Sequence, residues 1–117
     1  MARILIIDDE LHIRTLYDKL LSKDGYEVTT TATGTEALEL IGRDNFDVIV
    51  LDIELGESSG LDLLNKIKNQ LPGLPIILNS AYSVYMSNFK TWLAEDYIVK
   101  SSDIRPLQER IKELVSV

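Results

Sequence analysis

Val48-Ile49-Val50-Leu51-Asp52 is the stretch on which the fold turns: four apolar residues in succession, running straight into a carboxylate. A strand with one wet face alternates apolar and polar residues, whereas a run apolar at every position belongs to a parallel strand covered on both faces. Outward from it, Ile4-Leu5-Ile6-Ile7 repeats the pattern and ends on Asp8-Asp9-Glu10, and Ile76-Ile77-Leu78 repeats it before Asn79-Ser80. Tyr97-Ile98-Val99 is a further apolar run and ends on Lys100. Tyr26-Glu27-Val28-Thr29-Thr30 alternates and reads as an edge strand.

Stretches with helical spacing lie between these runs. Ile13, Leu16, Tyr17, Leu20 and Leu21 form the first apolar face; Ala37, Leu38 and Ile41 after Gly34 form the second; Leu61, Leu64, Ile67 and Leu71 form the third. Tyr85, Phe89 and Trp92 mark a fourth helix, and Ile104, Leu107, Ile111 and Leu114 a fifth. Asp24-Gly25 and Leu71-Pro72-Gly73 supply stop signals, Ser102 or Asp103 can cap the last helix, and Pro106 is tolerated in its first turn. Strict alternation of strand and helix predicts parallel strands joined by right-handed crossovers. The expected fold is α/β: a five-stranded parallel doubly wound sheet of order 2-1-3-4-5 with five helices, whose ligand site lies at the carboxyl ends of the strands.

The chain has 117 residues, the size of one domain, so residues 1–117 are read as a single unit and a two-domain enzyme is excluded. Twelve Lys and Arg against nineteen Asp and Glu leave a net charge of −7, which argues against a surface for nucleic acid or anionic membrane. No cysteine is present, so disulfides and thiolate metal sites are excluded, and a reducing compartment is favoured. The longest apolar runs are too short to span a membrane.

In the expected topology Asp8, Asp9, Asp52, Ser80 and Lys100 converge on one lip of the sheet. Carboxylates a few ångströms apart raise one another's pKa unless a cation neutralises them. All-oxygen ligands favour Mg²⁺ or Mn²⁺ over zinc, and Mg²⁺ favours phosphate as a co-ligand. Lys100 and Ser80 would then meet phosphate oxygens, and Asp52 would be the nucleophile that forms an acyl phosphate. Taken singly, each residue has an ordinary reading as cap, loop or solvated side chain; four of five strands ending in a group that this chemistry needs is what carries the inference. His12 on the first helix is read as solvated or facing a partner.

The arrangement resembles the receiver domain of two-component response regulators, stand-alone receivers included, from Arg3 to about Val115. The resemblance implies a flavodoxin-like receiver fold in which Asp52 accepts a phosphoryl group from a histidine kinase or a histidine phosphotransfer protein. It implies that Asp9 binds Mg²⁺ directly, Asp8 mainly through water, and Asp52 and the backbone carbonyl of Glu54 complete the ligands. Ser80 becomes the switch hydroxyl, Lys100 the ion-pair partner of the phosphate, and Tyr97 the aromatic whose rotamer reports activation; Gly60 matches the loop pattern after the acceptor. The chain would catalyse only its own phosphorylation and dephosphorylation. Its location would be the cytoplasm, and a downstream protein target would dock on the face made by the fourth helix, fifth strand and fifth helix, beside Met86 and Lys90. Dimerisation on phosphorylation is left open, as is whether the receiver stands alone or is a piece of a longer regulator.

The chain departs from the family pattern at Leu55-Gly56 in place of Met-Pro, at Leu93 in place of Gly, and at Ser101 in place of the Pro that follows the lysine. Lys-Pro is commonly cis in this family and a non-proline cis bond costs about 3 kcal/mol, which favours trans at Lys100-Ser101 and leaves open both the isomer and the aim of the lysine. Glu54 and Tyr82, two residues past the acceptor and the switch hydroxyl, are expected to slow attack of water on the phosphoryl group. The alternative function is a degenerate receiver, an interaction module independent of phosphorylation; the intact carboxylates, Ser80 and Lys100 speak against it. A small aspartyl phosphatase would show Asp where Glu54 stands and would need a cap segment, and no phosphate-cradling Gly-rich loop follows the first strand.

Overall fold

The computed structural model describes residues 1–55, 58–81 and 94–115. The elements run β1 (Arg3–Ile7), α1 (Leu11–Lys23), β2 (Glu27–Thr31), α2 (Gly34–Arg43), β3 (Val48–Leu51), β4 (Glu54–Leu55), β5 (Ser58–Ser59), α3 (Gly60–Gln70), β6 (Ile76–Ser80), β7 (Asp96–Val99) and α4 (Arg105–Val115). Five strands form one sheet in the order β2-β1-β3-β6-β7, and every neighbouring pair is parallel. The expected sheet is therefore the observed one. Four helices fall among the described residues. The fourth expected helix, with Tyr85, Met86, Phe89, Lys90 and Trp92, lies outside them, as do Gly56, Tyr82 and Leu93.

Successive residues of a strand point to opposite faces of the sheet. Ile4, Ile6, Val48, Val50 and Ile77 pack with Tyr17, Leu21, Leu107 and Ile111 of α1 and α4. Leu5, Ile7, Ile49, Leu51, Ile76 and Leu78 pack with Ala37, Ile41, Leu64 and Ile67 of α2 and α3. Each apolar run thus feeds both layers, which is why it tolerates no polar alternation. β2 keeps three half-buried positions and one exposed one, as an edge strand should.

Helix ends follow from local chemistry. α1 stops at Asp24, and Gly25 adopts φ 98°, a left-handed value that side chains resist. Thr33 Oγ1 accepts the Glu36 N–H at 3.2 Å and starts α2. Asp103, of the two candidates for the last helix, accepts the Arg105 N–H at 3.0 Å. A short antiparallel pairing of Glu54 with Ser59 and Leu55 with Ser58, which the sequence pattern does not announce, closes the loop after β3. Gly60 ends that loop and must be glycine: a Cβ there would lie 2.3 Å from the Asp52 carbonyl oxygen and 2.6 Å from Ile53 Cα. No cis peptide occurs among the described residues, so Lys100-Ser101, which the sequence leaves open, is trans.

Candidate phosphoryl-acceptor site

β1, β3, β6 and β7 run parallel, so their last residues share one edge of the sheet. Asp8 follows β1 and is 2% exposed; Asp52 follows β3 and is 5% exposed; Ser80 ends β6 fully buried; Lys100 follows β7. The Lys100 Nζ lies 2.8 Å from Asp8 Oδ2, 3.3 Å from Asp52 Oδ2 and 3.4 Å from Glu10 Oε1. Each buried carboxylate divides its oxygens in the same way. Asp8 Oδ1 accepts the Glu10 N–H at 2.9 Å and Asp52 Oδ1 accepts the Glu54 N–H at 3.2 Å, which leaves both Oδ2 atoms to the ammonium. Arg14 Nη1 donates to the Asp8 carbonyl at 2.8 Å and fixes the start of α1 against the end of β1.

Burial, and then the Asp8 charge, push the Asp52 carboxyl up to about 6, against the downward pull of Lys100 and the Glu54 N–H. Burial alone would lower the Lys100 pKa, but the hydrogen bond and charge of Asp8, followed by Asp52, outweigh it and hold the ammonium above its ordinary value. One cation thus serves several acids. Carboxylate oxygens of Asp8, Asp9, Glu10 and Asp52 all come within 4.8 Å of one another. The donor set is oxygen alone, and it suits a hard divalent cation such as Mg²⁺. His12 stays on the surface, its Nε2 3.3 Å from Glu10 Oε2.

The cleft above these groups has a volume of about 250 Å³ and is lined by Asp9, Glu10, Asp52, Glu54, Ser80 and Lys100. A carboxylate, an ammonium and a hydroxyl around one open space are groups that can serve phosphoryl transfer to a carboxylate. Tyr97 belongs to the same group: it shares a side-chain hydrogen bond with Ser80 and lies near enough to Asp52 and Glu54 to sense their charge, while burial raises its pKa most. Asp8, Asp9, Asp52, Glu54, Ser80, Tyr97 and Lys100 therefore gather here, while Tyr82 lies outside the described residues.

Glu10, Tyr17 and Asn79 belong to the neighbourhood without having been assigned a role from the sequence. The Tyr17 hydroxyl donates to Asn79 Oδ1 at 2.6 Å, and Asn79 Nδ2 donates to the Ile98 carbonyl at 2.8 Å. The available signal was Asn79 itself, an amide at the end of a strand otherwise apolar from residue 76, where burial demands a partner.

Residues 4–112 match the family model described as response regulator receiver domain. Among curated proteins, the probable transcriptional regulatory protein TcrX of Mycobacterium tuberculosis is 32% identical over 96% of this chain and 49% of its own length. The response regulator SaeR of Staphylococcus aureus is 35% identical over 99% of this chain and 51% of its own. The chain spans about half the length of these curated relatives. Among solved structures, the response regulator TrrA of Thermotoga maritima in complex with Mg²⁺-BeF superposes with a TM-score of 0.95 at 41% identity, covering 98% of this chain and all (100%) of that one. TrrA in complex with the histidine kinase ThkA gives a TM-score of 0.93 at 41% identity over 99% of this chain and 100% of that one.

Proposed function

The chain belongs to the response regulator receiver domain family, and on that premise we propose that Asp52 is its phospho-acceptor, supplied by a phosphohistidine. The observation that carries this reading is a buried carboxylate at a strand end, 3.3 Å from an ammonium and open to a cleft. In the proposed step an ionised Asp52 oxygen attacks phosphorus, the bond from phosphorus to the donor's imidazole nitrogen breaks, and that nitrogen keeps the electron pair. Asp8, Asp9, Asp52 and the Glu54 carbonyl would hold Mg²⁺, with Mn²⁺ as a substitute. When bound, the ion neutralises the carboxylates and the developing charge on the phosphoryl oxygens. Lys100 pairs with one phosphoryl oxygen and Ser80 donates to another.

The added charge draws Ser80 inward, Tyr97 moves with it, and the face of β7 and α4 is presented differently to a protein target. Glu54 and Tyr82 slow hydrolysis of the acyl phosphate. The donor is a histidine kinase or phosphotransfer protein in the cytoplasm; the ThkA complex of TrrA, a chain 41% identical to this one, supports a kinase as partner. Residues 1–117 act as one receiver domain that modifies only itself.

Intact mass after incubation with Mg²⁺ and acetyl phosphate tests the proposal. A gain of about 80 Da, one phosphoryl group, is expected; it disappears in EDTA and in Asp52→Asn, and it decays faster in Glu54→Ala. No gain in a chain that binds Mg²⁺ would turn the reading to the phosphorylation-independent module.

A further inference from the structure

Ser80 and Lys100 stand at the ends of two different strands, and the reaction needs them at a fixed separation. On the β-ladder side, the Lys100 N–H donates to the Ser80 carbonyl at 2.7 Å. One residue back, the same two strands are joined a second time by side-chain chemistry. Asn79 Nδ2 donates to the Ile98 carbonyl at 2.8 Å, and the Tyr17 hydroxyl of α1 donates to Asn79 Oδ1 at 2.6 Å. Tyr17 and Asn79 are 4% and 2% exposed.

We propose that Tyr17 and Asn79 are positioning residues for the phosphoryl group, pinning the ends of β6 and β7 from the α1 side of the sheet so that Ser80 and Lys100 meet it together. Packing alone does not call for them. The three preceding residues of β6 are Ile76, Ile77 and Leu78, and Tyr17 itself packs in the apolar layer of Ile4, Ile6 and Val50. A leucine would fill the Asn79 position without the cost of burying an amide. An amide adds direction: each of its two ends has one partner, one on a helix and one on a strand, and a hydrogen bond fixes geometry where apolar contact allows sliding. Burial holds the Tyr17 pKa at about 12, so the hydroxyl stays a donor. Neighbouring side chains of a strand face opposite ways, so Asn79 grips one face while Ser80 works on the other. Neither pinning residue lines the cleft.

The inference rests on Asp52 as acceptor, and its test separates the two. Beryllofluoride, the phosphoryl analogue seen with Mg²⁺ on TrrA, is titrated calorimetrically at saturating Mg²⁺ into the unaltered chain and into Asn79→Leu/Tyr17→Phe. The double variant removes all three side-chain polar groups together, so that the Tyr17–Asn79 pair leaves no orphan and the half-buried Ile98 carbonyl is the one group that loses a donor. Mg²⁺ affinity and thermal midpoint are measured alongside. The expected result is a beryllofluoride affinity about tenfold weaker with Mg²⁺ affinity unchanged, because the acidic ligands are not pinned by this pair. An affinity within about twofold of the unaltered chain overturns the proposal, and so does an equal loss for Mg²⁺, which marks general loosening. Where the double variant does not fold, Tyr17→Phe alone is read by the same criteria. Failure of the unaltered chain to bind beryllofluoride would instead strike at Asp52 as acceptor.

Discussion

Asp52 is the residue on which charge, burial and chemistry meet. Its folded pKa of about 6 lies above the ordinary carboxyl value of 3.8, so the folded chain binds a proton there more tightly than the unfolded chain does. The sign follows directly. Ionised Asp52 costs stability above pH 6, and the cost is relieved as pH falls from 6 toward the unfolded value. Without metal, the thermal midpoint should rise between pH 7.5 and pH 5, and Asp52→Asn should stabilise the chain at pH 7 by roughly 1–2 kcal/mol while flattening that rise. Calorimetry across this range checks both, and an unchanged slope in Asp52→Asn would remove Asp52 as the source. The sequence made Asp52 and Lys100 legible because each ends an apolar run, a position that topology alone converts into a site. It left Glu10 without a role, since its approach to Lys100 depends on a rotamer that no spacing encodes.

At the scale of elements, the strands were readable to within a residue or two because fully buried parallel strands leave unbroken apolar runs, and the helices because their faces recur at helical spacing. The pairing of β4 with β5 was not, since strands of two residues contain no period. Gly60 shows how that loop is held. Its N–H donates to the Ile53 carbonyl at 2.7 Å, and α3 begins directly against the backbone of Asp52 and Ile53. Adding one methyl places carbon 2.3 Å from the Asp52 carbonyl oxygen, a contact that neither backbone can relieve by a side-chain turn. Gly60→Ala should therefore lower stability by about 2–3 kcal/mol and also slow phosphorylation, because the atoms that must shift include those that carry Asp52. Chemical denaturation and acetyl phosphate labelling read the two effects separately. A variant destabilised as expected but labelled at the normal rate would show the acceptor to be held by β3 alone.

At the scale of the whole molecule, a chain of net charge −7 gathers acid at one lip of the sheet, where Asp8 and Asp52 are buried and Asp9 and Glu10 are exposed. Four carboxyl groups share one lip of the sheet with a single lysine, so the metal-free fold bears repulsion that a divalent cation would relieve. That relief is a binding free energy available only to the folded state, because the unfolded chain does not hold Asp8 and Asp52 together. At about 100 times its dissociation constant, Mg²⁺ should stabilise the chain by about 2.7 kcal/mol, which for a domain of this size is a rise in midpoint of about 10 °C. Mn²⁺ should act similarly, through the same oxygen donors. Screening is the competing explanation, since any salt weakens repulsion between exposed charges. It predicts that Na⁺ at matched ionic strength gives the same rise and that Asp8→Asn keeps it. Specific binding predicts a small effect of Na⁺, loss of most of the Mg²⁺ effect in Asp8→Asn, and no comparable loss in an acid distant from the lip such as Glu109→Gln. Melting curves in the two salts decide between these, and equal shifts would leave the lip as an acidic surface without a metal.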